Sequence, residues 1–424
     1  MDEELKRTPL HQWHRNQKAN MAGFGQYEMP LWYPAGAKDE HRSVLLNAGI
    51  FDTSHMAIIR VTGRNAFDLL QYCFSRDLRT RMGRQTKPLK VGRCVYGVFL
   101  NEKAEVIDDA LVYAMVSDNF LIVLNSGMGE EMIDHFLSCR SGWSVRINDL
   151  THRVGKIDLQ GPKAARILLK VLVDAEDILR DMSYFSFKGA LTEGVSTGLD
   201  VEFKKAGPVL LSRTGYTGEF GFEIFMELSQ IEKVWELLIE AGQEFRLLPC
   251  GLAARDSLRT SAMLPFAHQD IGPWPFVNNP WTFVLPFNKG GTGFSKEFIG
   301  DKALLEADYR DYTYAFMAKD PRKVSSGGRS IVKNQSGTEI GIVLTCVTDV
   351  GTGYHENRIY SISSPDKPPD FNPRGVCCGF VRVRERLGTG EIIELIDNRR
   401  EIKVTIVDDI RPDRTARSFM ADMI

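Results

Sequence analysis

Asp108 and Asp109 are adjacent acids in an otherwise apolar run, residues 106–113. The run alternates as a β-strand does, and successive strand side chains point to opposite faces. One carboxylate must therefore join Val106, Ala110 and Val112 on a buried face while the other points away. Burial disfavours an ionised carboxylate unless a hydrogen bond or a positive charge compensates. An acid placed here is either a reactive group or one satisfied by backbone amides or an arginine. Gly221 and Glu223 share one face of a second predicted strand, where a small residue beside an acid leaves room for a ligand against the backbone; a solvent-facing glutamate is the plain alternative. Arg255 and Arg259 are four apart on one face of a predicted helix. That spacing suits a carboxylate ligand, or merely local acids. His55, between a turn and a strand, is the histidine best placed for acid–base work, although a hydrogen-bonded structural histidine fits the same position.

The elements that must hold these groups follow from periodicity. A helix is expected over 39–48, stopped by Gly49, then a strand over 58–61 and a helix over 65–72. Strands 93–100, 106–115 and 120–124 form a meander around the turns 101–103 and 117–119, followed by a helix over 129–139. Alternating strands and helices across 58–150 indicate an α+β layer. A second block starts near Thr151, with strand 156–160, helix 163–173, strand 209–212, a two-glycine turn at 214–219 and strand 220–225. Phe220, Phe222 and Ile224 share its core face. Ser229 and Glu232 have capping-box spacing ahead of a helix that buries Ile231, Val234, Trp235 and Leu238. Residues 265–295 read as loop, and the glycines at 290, 291 and 293 lack the ending of a phosphate loop. From Asp301 the chain changes to short strands at 314–318, 341–348, 375–383, 391–396 and 401–407. These indicate a separate all-β domain with a mobile Pro-rich insert at 363–373.

Composition narrows the function class. The 424 residues are 43% hydrophobic and 25% charged, with 53 Lys and Arg against 55 Asp and Glu. This near-balance argues against a surface dedicated to nucleic acid or an anionic membrane. No apolar run reaches the ~18 residues of a membrane span. The acidic N-terminus lacks a hydrophobic signal core, so a cytoplasmic location is expected. Seven scattered cysteines, none in a C-x-x-C pair, speak against a disulfide framework and a zinc site, and Cys377 and Cys378 read as small core residues.

Four separated strings share one pattern: residues 50–56 (IFDTSHM), 106–109 (VIDD), 214–224 (TGYTGEFGFEI) and 251–259 (GLAARDSLR). In this order and spacing the chain resembles the glycine-cleavage T-protein family, the tetrahydrofolate-dependent aminomethyltransferases and their demethylase relatives. The resemblance implies a three-domain cloverleaf ring around a folate-binding hole, with a ferredoxin-like domain and a C-terminal β-barrel. It places a discontinuous first domain at 1–58 and 152–265, the ferredoxin-like domain at 59–151 and 266–300, and the barrel at 301–424. It implies that Asp108 is the catalytic acid near the reacting folate nitrogen, where an anion would stabilise developing positive charge. Tyr96, Met56, Asn125, Tyr216, Glu223, Arg255 and Arg411 become folate-binding residues, and no metal is implied.

Two departures bear on the one-carbon donor. Ala104 and Glu105 stand where the family has two glycines, making the turn before Asp108 bulkier. Residues 260–274 replace a family run that reads L-E-A-G, then aromatic-Gly-x-[ED]-[ML]-D-E. Trp274, Phe276 and Trp281 are candidates to line a small apolar or cationic donor site, or to pack the loop. Two donors stay open. One is an aminomethylated lipoyl carrier protein, giving methylene-tetrahydrofolate and ammonia. The other is a small methylated amine, sulfonium or methyl ether, giving 5-methyl-tetrahydrofolate. A non-enzymatic folate-binding protein of the iron–sulfur repair type would carry a K-G-C-Y-x-G-Q-E string, which this sequence lacks.

Overall fold

The computed structural model describes residues 4–80, 88–116, 118–139, 142–191, 194–306 and 309–424. The first acidic residues, Asp2 and Glu3, and Ser117 of the expected turn lie outside this set. No helix among the described residues is long and apolar enough to cross a membrane.

The strand carrying the two acids, Val106–Ala114, lies in a five-stranded antiparallel sheet. The strand order is Arg93–Leu100, Val106–Ala114, Asn119–Leu124, Ala57–Thr62, Arg146–Asp149. Ala110 and Val112 pack with Leu69, Leu70, Met132 and Phe136, so the helices Ala66–Cys73 and Gly129–Cys139 cover that face. Leu111 and Tyr113 enter a separate cluster with Phe187 and Phe225. The sheet is therefore buried on both sides, and alternation along one strand sends Asp108 towards the helices and Asp109 the other way.

A seven-stranded sheet is assembled from residues that flank the first sheet in the sequence. Its order is Val195–Ser196, Phe187–Leu191, Leu210–Ser212, Gly221–Glu227, Val154–Gln160, Gly49–Asp52, Leu248–Pro249. Ile157, Leu159, Phe220, Phe222 and Ile224 pack under the helices Ala164–Val171 and Ile231–Gly242. Lys156, Asp158, Gln160 and Glu223 project to the opposite face and are buried too. Two expectations change here. The helix starts at Ile231 directly from a 3-10 turn, Leu228–Gln230, and no side-chain capping bond forms. The space beside Gly221 holds protein rather than ligand: a Cβ at Gly215 or Gly221 would lie 2.1 or 2.4 Å from Gln160 Oε1. Gly218 is needed for its φ of +76°.

The C-terminal strands close into a six-stranded barrel in the order Tyr312–Ala318, Val376–Val383, Glu339–Asp349, Ile331–Lys333, Ile392–Ile396, Glu401–Val407. The loop of residues 265–281 ties this barrel to the five-stranded sheet. Trp281 and Phe276 are buried, and Trp281 meets Phe380 edge to face at 5.0 Å while its indole N–H donates to the Met263 carbonyl at 2.8 Å. Trp274 lies under the Arg382 guanidinium at 4.6 Å. These aromatics therefore pack the loop, and none lines the central cavity as a donor site would require. The turn with Ala104 and Glu105 is covered as well. The Phe276 N–H donates to the Ala104 carbonyl and the Val106 N–H to that of Gly272, so the turn is no obstacle at a cavity mouth.

Trp281→Ala removes a buried indole and a hydrogen bond from this junction. We expect a stability loss of about 3–5 kcal/mol by denaturant unfolding, with donor selectivity unchanged in the folded fraction. A selectivity change without a stability loss would restore a donor-site role.

Candidate active site

A cavity of about 980 Å3 opens where all parts of the chain meet. The N-terminal hairpin contributes Phe24, the helices Ala37–Leu46 and Leu252–Ser261 contribute His41, Arg255 and Ser257, and the ends of the five-stranded sheet contribute Met56, Asn125 and Ser126. Tyr216, Phe266 and His268 complete one side, and Lys323 and Val347 come from the barrel. Phe24 and Phe266 stack at 5.8 Å with planes 19° apart, and the Arg255 guanidinium sits 4.9 Å from the Tyr216 ring centre. Tyr216 is pinned by its hydroxyl donating to the Pro265 carbonyl. On the wall, His55 Nδ1 and Ser126 Oγ are buried polar atoms without a hydrogen-bond partner, and His41 Nε2 has only its contact with Asp349. Burial lowers the His55 imidazole to about 4, so it presents a neutral ring to the cavity.

The acids stand immediately behind Asn125. The Asn125 amide group donates to Asp108 Oδ1 at 2.7 Å and to Asp109 Oδ1 at 2.6 Å, and its backbone N–H donates to Asp108 Oδ2 at 2.9 Å. Tyr96 donates its hydroxyl to Asp109 Oδ2 at 2.8 Å. Asp108 is completely buried, whereas Asp109 is partly exposed. Burial, and then the negative charge of Asp109, push the Asp108 carboxyl well above the usual carboxylate range. Burial also raises Asp109, with Tyr96 and Asn125 opposing it. A buried carboxyl raised by a neighbouring carboxylate holds its proton more readily than an isolated one. His268 Nε2 lies 3.8 Å from Asp108 Oδ1, and its residue has φ +65°.

A chain of alternating charges runs from the interior to Arg255. Lys156 Nζ lies 2.5 Å from Glu223 Oε1 and 2.5 Å from Asp158 Oδ1, and Arg255 donates to Asp158 Oδ2 at 2.8 Å. Glu223 also accepts from Thr214 and Tyr113. Burial works to raise the Asp158 carboxyl, but Lys156 and Arg255 outweigh it and hold it below the ordinary range.

Of the residues named from the sequence, His55, Met56, Asn125, Tyr216, Arg255 and Arg259 line the cavity, and Arg259 is paired with the local acids Asp256 and Asp270. Asp108 stands one hydrogen bond behind the wall, and Tyr96 two, through Asp109 and Asn125. Glu223 is three ion pairs behind it, through Lys156, Asp158 and Arg255, because its strand face is the buried seam between sheets. Arg411 is fully buried elsewhere, pairing with Glu219 at 3.3 Å and donating to the Thr217 carbonyl. Sequence reasoning missed Lys156 and Asp158, whose alternation with Ile157 and Leu159 was the available signal. It also missed His41, which binds Ser257 Oγ at 2.7 Å through Nδ1 and faces Asp349 at 3.1 Å through Nε2.

Glu223→Ala leaves Lys156 short of an anion in a buried seam. We expect a loss of about 3–5 kcal/mol in stability and little change in ligand affinity of the folded fraction, by denaturation and calorimetry. The lowered Asp158 gives the wild type stability that is present above the ordinary carboxyl range and lost as pH falls through its folded value. Asp158→Asn should remove that acid-side slope.

A model of the GCVT N-terminal domain matches residues 10–274. An aminomethyltransferase of Alkaliphilus metalliredigens (strain QYMF) is 34% identical over 309 residues, covering 72% of this chain and 75% of that protein. The crystal structure of glycine cleavage system aminomethyltransferase T from Bartonella henselae superposes with a TM-score of 0.74 at 25% identity, covering 95% of this chain and 97% of that one. The chain belongs to the glycine-cleavage T-protein family and is a tetrahydrofolate-dependent transferase of the aminomethyltransferase type.

Proposed function

We propose that the cavity takes tetrahydrofolate and that the chain moves a one-carbon unit onto it from a small methylated donor. The observation that carries the reading is the carboxyl pair joined through Asn125 at the cavity wall. The unpartnered His55 Nδ1 and Ser126 Oγ fit a polar heterocycle, since buried polar atoms call for partners. Tyr216 under Arg255 and the Phe24–Phe266 stack offer flat surfaces to an aromatic ring. Lys38 and Lys323, also on the wall, suit a carboxylate tail.

Tetrahydrofolate supplies a nucleophilic nitrogen. The residues must hold it in line with the donor, a positioning effect worth up to about 7–11 kcal/mol. Asp109 is the acid we place nearest the reacting atoms, because it is partly exposed and points away from the helices. Its carboxylate would stabilise positive charge developing on the nitrogen or the transferred carbon. Asp108, fully buried, acts as a positioning residue that holds Asn125 by two bonds. This moves the catalytic role one residue along from the acid favoured by the resemblance.

His268 shapes the donor side. Its φ of +65° is a conformation that glycine adopts most readily. Its imidazole narrows that side of the cavity and can carry a proton to a leaving amine, thiolate or alkoxide. A small donor fits this better than a long protein-borne arm. Incubation with tetrahydrofolate and a panel of methylated amines, sulfoniums and methyl ethers should yield 5-methyl-tetrahydrofolate. Ammonia and methylene-tetrahydrofolate from an aminomethylated lipoyl carrier protein, with no methyl donor accepted, would return the chain to the glycine-cleavage role.

In steady-state kinetics, Asp109→Asn should lower kcat by about 10²–10⁴-fold with folate affinity within about tenfold, and Asp108→Asn should cost less turnover and more stability. Equal kcat losses would return the assignment to Asp108. The raised pair also has a sign in pH. The folded protein keeps protons that the unfolded chain releases near pH ~4, so the pair's contribution falls as pH rises through the raised values, by at most ~1.4 kcal/mol per pH unit per group. Asp109→Asn should flatten that slope in denaturation series.

A further inference from the structure

Cys73 ends the helix Ala66–Cys73, and His135 and Cys139 are four apart on the helix Gly129–Cys139. Spacing in the sequence hides the group, since Cys73 is more than sixty residues from the others. The fold brings one donor atom of each to within 4.8 Å of the other two. His135 Nε2 is buried and has no hydrogen-bond partner. Cys73 is buried, while Cys139 is partly exposed and Tyr72 beside it is 42% exposed, so the group can be reached from solvent.

We propose that Cys73, His135 and Cys139 form a binding site for a borderline-soft divalent cation of the zinc class. Two thiolates and an imidazole are the preferred donor set of such an ion, and i, i+4 spacing puts both helical ligands on one face. Tetrahedral coordination with Zn–S near ~2.3 Å requires sulfurs about 3.8 Å apart, so side-chain rotation closes the site without backbone movement. Each thiol loses its proton to solvent on binding. Two thiolates, one neutral imidazole and a divalent ion sum to zero charge, which suits a partly buried place. Three protein ligands leave a fourth position to water. The ion would join the two helices that cover the five-stranded sheet, away from the cavity, which makes its role structural. A pair of facing thiols could instead oxidise to a disulfide, and the test separates the two.

Full-length protein, reduced and stripped with a chelator, is titrated with Co2+ and then Zn2+. The expected result is a stoichiometric thiolate-to-cobalt charge-transfer band, displaced by Zn2+, with a rise in Tm. The partly exposed Cys139→Ser and the isosteric His135→Asn should lose the band while keeping transferase turnover. No band in the wild type, or a band that persists in Cys139→Ser, overturns the proposal. A thiol titration showing two thiols lost on air oxidation together with no Co2+ band also overturns it, in favour of a redox pair.

Discussion

Glu223, Lys156, Asp158 and Arg255 alternate in charge along one buried line, and the placement of the cavity wall depends on them. Each ion would be costly alone in this interior, and removing one exposes its neighbour to the full desolvation penalty. The line starts on the inner face of the seven-stranded sheet and ends at the guanidinium that lies over Tyr216. Arg255 therefore has one direction in which it is satisfied, and that direction sets the Tyr216 ring at the cavity wall. Such a seam is weak evidence for net stability. Its use is that strand register, helix rotation and ring position are fixed together, since a one-residue slip on Val154–Gln160 would bury Ile157 among charges.

The strands and helices were largely legible because hydrophobic period and burial agree. The strand Arg93–Leu100 and the helix Gly129–Cys139 fall where periodicity places them. The barrel strands were legible as short apolar runs between turns. Local rules failed where the tertiary setting took over. Ser229 and Glu232 have capping-box spacing, yet a 3-10 turn feeds the helix. Gly221 looked like a vacancy for a ligand, yet Gln160 from the paired strand occupies it.

The site was legible to the depth of one shell. Motif residues found Tyr216, Arg255, Met56 and Asn125 at the wall. Glu223 and Arg411 are held in buried ion pairs instead, because a buried ion partner and a ligand contact call for the same residue type. Period two correctly parted Asp108 from Asp109. It could not show that Asn125, at the end of the next strand, reaches both. The aromatic residues Trp274, Phe276 and Trp281 have the chemistry of a cation site and the burial of a joint between barrel and sheet. Composition alone cannot part those two.

The barrel is part of the site rather than an appendage. It supplies Lys323 and Val347 to the wall, and its strand Glu339–Asp349 ends at the carboxylate that faces His41. The Asp349 carboxyl is held below the ordinary range because His41 and Arg411 outweigh the cost of burial. His41 in turn binds Ser257 on the helix that carries Arg255. Arg411, from the chain after the last barrel strand, pairs with Glu219 in the two-glycine turn beside Tyr216. Both polar links therefore run from the barrel to elements that position cavity residues. A ligand filling the cavity would touch both sides of this joint at once, so its binding energy adds to barrel docking. A loosened barrel would in turn weaken ligand affinity, because Arg255 and Tyr216 would lose the partners that hold their supporting elements in place.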